Sequence, residues 1–338
     1  VQIKIHTTPE VFDTLGAEWN QLLHRSATDT LFLTREWQKV WWSVLGEGDL
    51  RVIEMRDDGG ELIGIAPLFF APGDADLPQV TFVGWREVSD YLDFIFARGR
   101  EVECYQAVLD DLGGPNSPQW SCLALCNIPE PSPTLTVLAD MAEQRGWKVE
   151  KRFEDVAPMI TLPDTYEGYL AMLDGKERRE LQRKMRRAGN LVNITYTSDA
   201  ATLDQDMDDF LRLMTASMPG KAAFMTPRMA RFFRAVVRVM FEAGWLQLAF
   251  LDVEGARAAA YLNFVYDNAI LVYNSGLDPM KFAHLSPGQV LLARLIEKAV
   301  GDKRRLFDFL QGHEDYKYKL GGKDLRLYTL IITKTKTK

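Results

Sequence analysis

Two short stretches concentrate side chains able to handle protons and anions. The first is Phe307-Asp308-Phe309-Leu310-Gln311-Gly312-His313-Glu314-Asp315-Tyr316-Lys317-Tyr318-Lys319, an apolar run that ends in a dense cluster of ionisable groups. Glu314 and His313 can each accept a proton, Tyr316 or Tyr318 can give one, and Lys317 or Lys319 can hold an anion or an oxyanion. Asp308 sits inside the apolar run, where a carboxylate needs a partner. The bland alternative is a polar loop after an edge strand. The second stretch is His284-Leu285-Ser286-Pro287-Gly288-Gln289-Val290-Leu291-Leu292. Ser286 suits a helix N-cap, Pro287 the first helical position, and Gln289 completes a capping box. Capping leaves Gly288 unexplained, since glycine weakens a helix by about 1 kcal/mol against alanine. Its missing side chain would let an anion reach the free N–H groups of the first turn. The strand before it ends Val272-Tyr273-Asn274-Ser275-Gly276. The junction therefore reads either as a well-made helix start or as a pyrophosphate site built from Asn274, Gly276, Ser286, Gly288 and Gln289.

A third feature is KERRELQRKMRR at 176–187. At helical spacing Lys176, Arg179, Arg183, Arg186 and Arg187 share one face, opposite Leu170, Leu181, Met185 and Ala188. Glu177 and Glu180 balance it only in part, so it reads as a solvated face or as a dock for an anionic partner. Ser89-Asp90-Tyr91-Leu92-Asp93 is a turn whose acids, Asp90 first, could line a cleft. With four histidines, no HxxxH and no CxxC spacing, no metal site is expected.

An internal repeat positions these segments. Phe32-Leu33-Thr34 returns as Phe224-Met225-Thr226, each followed by a helical pattern: Trp37, Val40, Trp41, Val44, and then Met229, Phe232, Phe233, Val236, Val237. A strand (50–56; 246–252), an acidic glycine-containing turn, a long apolar strand (62–70; 258–266) and a third strand (80–84; 269–276) follow in each half. A helix (102–112; 287–300) and a further strand (121–126; 306–310) complete both copies. The boundary falls near 148–165, giving domains 1–155 and 156–338. The expected class is α/β (α+β), with two tandem domains, each a mixed, mostly antiparallel sheet flanked by helices.

The 338 residues, 47% hydrophobic and 26% charged, suit two globular cores. No apolar run reaches the ~18–20 residues of a membrane span. Three sparse cysteines fit a thiol-reducing cytoplasmic setting better than a disulfide framework. The net charge of −7 argues against a general nucleic-acid binder.

Phe32-Leu33-Thr34 with Trp37 and Trp41-Trp42, then Gly64-Ile65-Ala66-Pro67-Leu68, Ser286-Pro287-Gly288 and Asp308-Phe309 through Glu314-Asp315-Tyr316-Lys317, together resemble the CelD/BioF2-like acyltransferases. These belong to the GNAT superfamily and are similar to the FemABX peptidoglycan aminoacyltransferases. The resemblance covers nearly the whole chain. It implies two tandem GNAT-like domains and transfer of an acyl group, acetyl foremost, from acetyl-CoA or another acyl-CoA to an amine or hydroxyl. The acceptor would be a small molecule or a glycan, peptide or envelope precursor. The usual Q/R-x-x-G-x-G/A signature is absent from both halves, and the first helix start, Arg98-Gly99-Arg100-Glu101, lacks a comparable cap. The donor is therefore expected in the second domain, with the first degenerate.

In this reading Glu314, or else His313, takes the acceptor's proton and Tyr316 or Tyr273 protonates the leaving thiolate. Lys317 orients an anionic acceptor, with Asp308, Lys319, Arg179, Arg183 and Asp90 on the acceptor side. FemABX relatives use aminoacyl-tRNA, and the basic helix resembles a feature of that group. The alternatives are thus a tRNA-dependent aminoacyltransferase or a non-catalytic binder of anionic ligands.

Overall fold

The computed structural model describes residues 1–72, 77–85 and 87–334. The chain divides into two compact units, Val1–Asp155 with Leu325–Lys338, and Val156–Asp324.

The first unit runs β1 (Gln2–His6), α1 (Val11–His24), α2 (Arg35–Leu45), β2 (Asp49–Arg56), β3 (Leu62–Ala71), β4 (Gln79–Phe82), β5 (Ile95–Phe96), α3 (Glu101–Gly113), β6 (Leu123–Pro129) and α4 (Val137–Gln144). β7 (Lys148–Thr161) carries the chain into the second unit. There follow α5 (Tyr166–Met172), α6 (Gly175–Ala188), β8 (Val192–Tyr196), α7 (Leu203–Ser217), α8 (Pro219–Phe224) and α9 (Pro227–Glu242). Next come β9 (Leu246–Val253), β10 (Ala256–Tyr266), β11 (Ala269–Leu277), α10 (Pro287–Gly301), β12 (Leu306–Asp308) and α11 (Asp315–Lys319). The final strand, β13 (Lys323–Thr333), pairs antiparallel with β6 and lies largely in the first unit.

The two units repeat one plan. Thr34 caps α2 by accepting from the Trp37 N–H at 3.3 Å, and Thr226 caps α9 by accepting from the Met229 N–H at 3.2 Å. In each, three antiparallel strands follow (β2-β3-β4; β9-β10-β11), and the third then lies parallel to a strand beyond the next helix. That crossover needs a helix because parallel neighbours cannot be joined by a hairpin. All ten residues of β3 are buried, the pattern of a strand covered on both faces. The β9–β10 and β10–β11 hairpins close on Glu254-Gly255 and Asp267-Asn268, all four with positive φ (52°, 77°, 40° and 58°). These are the paired left-handed residues that a two-residue turn between twisted strands demands.

In the first unit the 89–93 turn carries a buried carboxyl. Asp93 is 2% exposed and accepts from the Phe94 N–H at 2.9 Å, the Thr134 hydroxyl at 2.5 Å and the Ser132 hydroxyl. Burial pushes its carboxyl up to about 6, against the partial offset of those hydroxyls. The native state thus keeps a proton that the unfolded chain releases near its ordinary 3.8. The stabilisation from this group is complete below that value and is lost as pH rises through about 6. Asp93→Asn should remove this dependence. Between pH 4 and 7 the wild-type-minus-mutant difference in unfolding free energy should change by about 2 kcal/mol, measured by urea titration.

Candidate active site in the second unit

The site forms where two parallel strands part. β11 and β12 pair only over Ala269–Leu271 and Leu306–Asp308. β11 continues to Leu277, whereas the chain after β12 turns away: the Phe309 N–H donates to Pro158 O at 3.0 Å and the Gly312 N–H to Val156 O at 2.9 Å. Asp308 shapes that turn. It is 2% exposed, and its carboxylate accepts from the Leu310 N–H at 2.8 Å, holding Leu310 at φ 57°. The expected acceptor-binding role for Asp308 is thereby corrected, because its oxygen is committed to the fold. β11 also bulges at the parting, with Leu262 opposite Asn274 and Asn263 opposite Val272, so Tyr273 is the extra residue.

Lys317 is likewise a structural group. Its ammonium is buried and donates to the carbonyls of Leu310, Gln311 and Gly312 at 3.0, 2.9 and 3.0 Å, and it pairs with Glu314 Oε2 at 2.9 Å. Its donors serve the 310–312 turn and Glu314, so it is not the free cation expected to orient an acceptor. It does hold Glu314 in place. Glu314 stands just before α11 and folds over Gly312, where a Cβ would lie 2.6 Å from Oε2. Burial pushes the Glu314 carboxyl up, but the Lys317 ammonium more than offsets this and leaves it below the usual carboxylate value. Glu314 is thus ionised at neutral pH and able to accept a proton.

Around Glu314 the fold gathers two phenols and a second lysine. Tyr316 packs against Phe309 at 6.2 Å between ring centroids, and burial followed by the Glu314 charge raises its phenol well above 10. Tyr261 of β10 is 6% exposed and shares a side-chain hydrogen bond with Ser275 of β11. Lys221 of α8 donates to the Ser275 carbonyl and, at 3.3 Å, to its hydroxyl. Burial lowers its ammonium to about 8, although the charge of Glu314 acts the other way. Sequence reasoning missed Lys221, Ser275 and Tyr261. The only local signal was a lysine directly after Pro219-Gly220, and Ser275 lies 54 residues further on.

The α10 start departs from a capping box. Ser286 adopts φ 53° and ψ 53°, a left-handed conformation, and its side chain makes no cap hydrogen bond. Gln289 instead accepts from Lys184 of α6. The Ser286 side chain therefore caps none of the first-turn N–H groups of α10. Phe282 is also left-handed at φ 59°, so two non-glycine residues in this costly region bracket the loop. Asn274 accepts from the next residue's own N–H, at 2.9 Å. Gly276 allows close packing, since a Cβ there would lie 2.3 Å from Met214 N in α7. The Tyr273 ring sits between Phe233 and Phe264, at 5.6 and 5.2 Å.

The basic helix is α6. Arg183 is paired with Glu180 at 2.6 Å, and Arg187 donates to His284 O at 2.9 Å, docking the helix on the loop before α10. Arg179 is exposed. A recess of about 40 Å³ between α6 and α11 is lined by Glu177, Leu181, Lys184, Gln289, Tyr316 and Lys319. His313 is exposed beside Glu314. Asp90 lies half-buried in the first unit. Among the described residues no group of three or more His, Cys, Asp or Glu could share a metal ion, and no helix is long and apolar enough to cross a membrane.

Comparison with known proteins agrees with this geometry. Residues 175–318, from α6 into α11, match the family model described as an acetyltransferase (GNAT) domain. A comparison with curated protein sequences finds no match. Among solved structures the chain is similar to FemX, at 12% identity and TM-score 0.68 over 97% of both chains. It is also similar to L-PGS from Bacillus licheniformis, at 10% identity and TM-score 0.56 over 94% of this chain and 90% of that one. A tandem GNAT protein from the clavulanic acid biosynthesis pathway matches at 10% identity and TM-score 0.50 over 98% of both. Residues 175–318 thus match a GNAT acetyltransferase domain, within a chain whose fold is similar to those of FemX and a tandem GNAT protein.

Proposed function

We propose that the second unit transfers an acyl group, acetyl foremost, from an acyl-CoA thioester directly to an amine or hydroxyl. The acceptor class is a small molecule or an envelope, glycan or peptide precursor. The observation that carries this reading is the parting of β11 from β12. The end of β11 lies against the α10 start, where Gly288 meets Leu277, and Gln289 shares a recess with Tyr316, two residues from the ionised Glu314.

Each feature has a task. The first-turn N–H groups of α10 accept the donor's phosphates, favoured by the helix dipole and by the missing side chain at Gly288. The part of β11 beyond its pairing with β12 receives the extended arm of the donor. Glu314, with His313 exposed beside it, accepts the proton of the attacking heteroatom. Tyr316, its phenol kept protonated, is a hydrogen-bond donor in the same space. Lys319 and Arg179 are the cations left for the acceptor side. The setting is the cytoplasm, where the three free cysteines stay reduced.

A second reading, an aminoacyl-tRNA donor, is favoured by the likeness to FemX and by α6. Weighing against it, Arg183, Lys184 and Arg187 are committed to contacts within the unit. The test is thiol release from acetyl-CoA with a panel of amine and hydroxyl acceptors, run beside filter binding of tRNA against salt. Acceptor-stimulated release with no specific tRNA retention is expected. Tight tRNA binding that falls steeply with salt, without thiol release, would favour the second reading.

A further inference from the structure

We propose that Lys221 is the catalytic acid of the site: its ammonium gives the leaving sulfur a proton while Glu314 takes one from the acceptor. This rests on the acyl-transfer reading above and names a residue that the family likeness did not suggest.

The geometry comes first. Lys221 Nζ reaches β11 from α8, beyond the β11–β12 pairing, and spends two of its three N–H groups on the carbonyl and hydroxyl of Ser275. The third has no protein acceptor among the described residues. Glu314 is close enough to influence Lys221 electrostatically, yet the two form no ion pair. The carboxylate is held on Lys317 instead. A cation and an anion that act on each other without pairing leave room for reacting atoms between them. The other titratable groups around them are the Lys317 ammonium and His313, both beside Glu314, and the phenols of Tyr261 on β10 and Tyr316 on α11, both kept neutral by burial.

Proton affinity then separates the candidates. An alkyl thiol ordinarily titrates near 8.5, so the best acid for its thiolate is one of similar strength. The Lys221 ammonium, lowered to about 8, is matched to that task. The Tyr316 and Tyr261 phenols, pushed well above 10, would have to give up a proton uphill.

The step balances as follows. The acceptor nitrogen or oxygen bonds to the acyl carbon and its proton passes to the Glu314 carboxylate. The carbon–sulfur bond breaks with its electron pair on sulfur, and sulfur takes a proton from Lys221 Nζ. The neutral amine and protonated carboxyl that remain are restored by exchange with water. Ser275, bridging Lys221 and Tyr261, acts as a positioning residue for the ammonium.

The experiment measures thiol release from acetyl-CoA with hydroxylamine, a small nucleophile that needs no acceptor pocket, from pH 6 to 10. The unaltered protein, Lys221→Met and Lys221→Arg are compared, with circular dichroism and native mass spectrometry checking fold and donor binding. The wild-type rate should fall above about pH 8 as the ammonium is lost. Lys221→Met should be slower by about 100-fold or more, without that limb. Lys221→Arg should be equally slow, because a guanidinium keeps the charge but does not release a proton. Full rescue by Lys221→Arg would overturn the assignment in favour of a simple electrostatic anchor, as would an unchanged rate in Lys221→Met. Absence of thiol release by the unaltered protein would instead refute the acyl-transfer reading, and the assignment with it.

Discussion

Glu314→Gln should lower turnover by about 10²–10⁴-fold while leaving donor affinity within a few-fold of wild type. The glutamine keeps the size of the side chain and can still accept from Lys317, but it cannot take a proton. The carboxylate lies below its ordinary value because the Lys317 ammonium outweighs the effect of burial. An activity that depends on it should therefore persist as pH falls to the ordinary carboxylate range and fail only below it. Steady-state thiol release over a pH series, with donor binding measured separately, checks both statements. Equal turnover in the mutant would transfer the base role to His313 or to water. A loss of donor binding as large as the loss of rate would mean that Glu314 holds the donor rather than the proton.

Gly276→Ala should destabilise the protein by about 3 kcal/mol or more, at or beyond the upper end for overpacking a core. A Cβ at this position would stand 2.3 Å from Met214 N and 2.5 Å from Leu213 C, and both are backbone atoms of α7. No rotamer change can relieve such an overlap, so either α7 or β11 must shift. The contrast with Gly288 is instructive, because there the same methyl would meet only Leu277 Cδ2, at 3.3 Å. That methyl group can swing aside, and alanine gains helix propensity, so Gly288→Ala should be close to neutral in stability. Urea unfolding of the two variants side by side tests the distinction. Comparable losses in both would show that α7 does not approach β11 as described.

The repeat was legible because it rests on local chemistry. Thr34 and Thr226 each cap a helix, the acidic glycine turns both join antiparallel strands, and Glu254-Gly255 supplies the left-handed pair of a two-residue hairpin. The alternating run at 326–333 shows that a strand exists but does not encode its partner, and the partner proved to be β6. The α10 start was misread because Ser286, Pro287 and Gln289 satisfy every compositional rule for a capping box. The left-handed backbone at Ser286 leaves its side chain without a cap bond. Lys317 was misread for a similar reason: only the positive φ of Leu310 and Gly312 turns three consecutive carbonyls toward one ammonium. Lys221 and Tyr261 could not be paired with Ser275 from spacing, since strand register and the place of α8 bring them together. Glu314 and Tyr316 were legible because they lie within two residues of each other, just beyond a strand end that the apolar pattern already marked.

Native mass spectrometry of the purified protein with CoA, acetyl-CoA and a longer acyl-CoA tests the central claim most directly. The account predicts a one-to-one adduct with each that is lost in Gly288→Glu, where a carboxylate would stand at the first-turn N–H groups meant for phosphate. No adduct with the unaltered protein, or an adduct retained in a folded Gly288→Glu, would contradict a thioester donor bound at the start of α10.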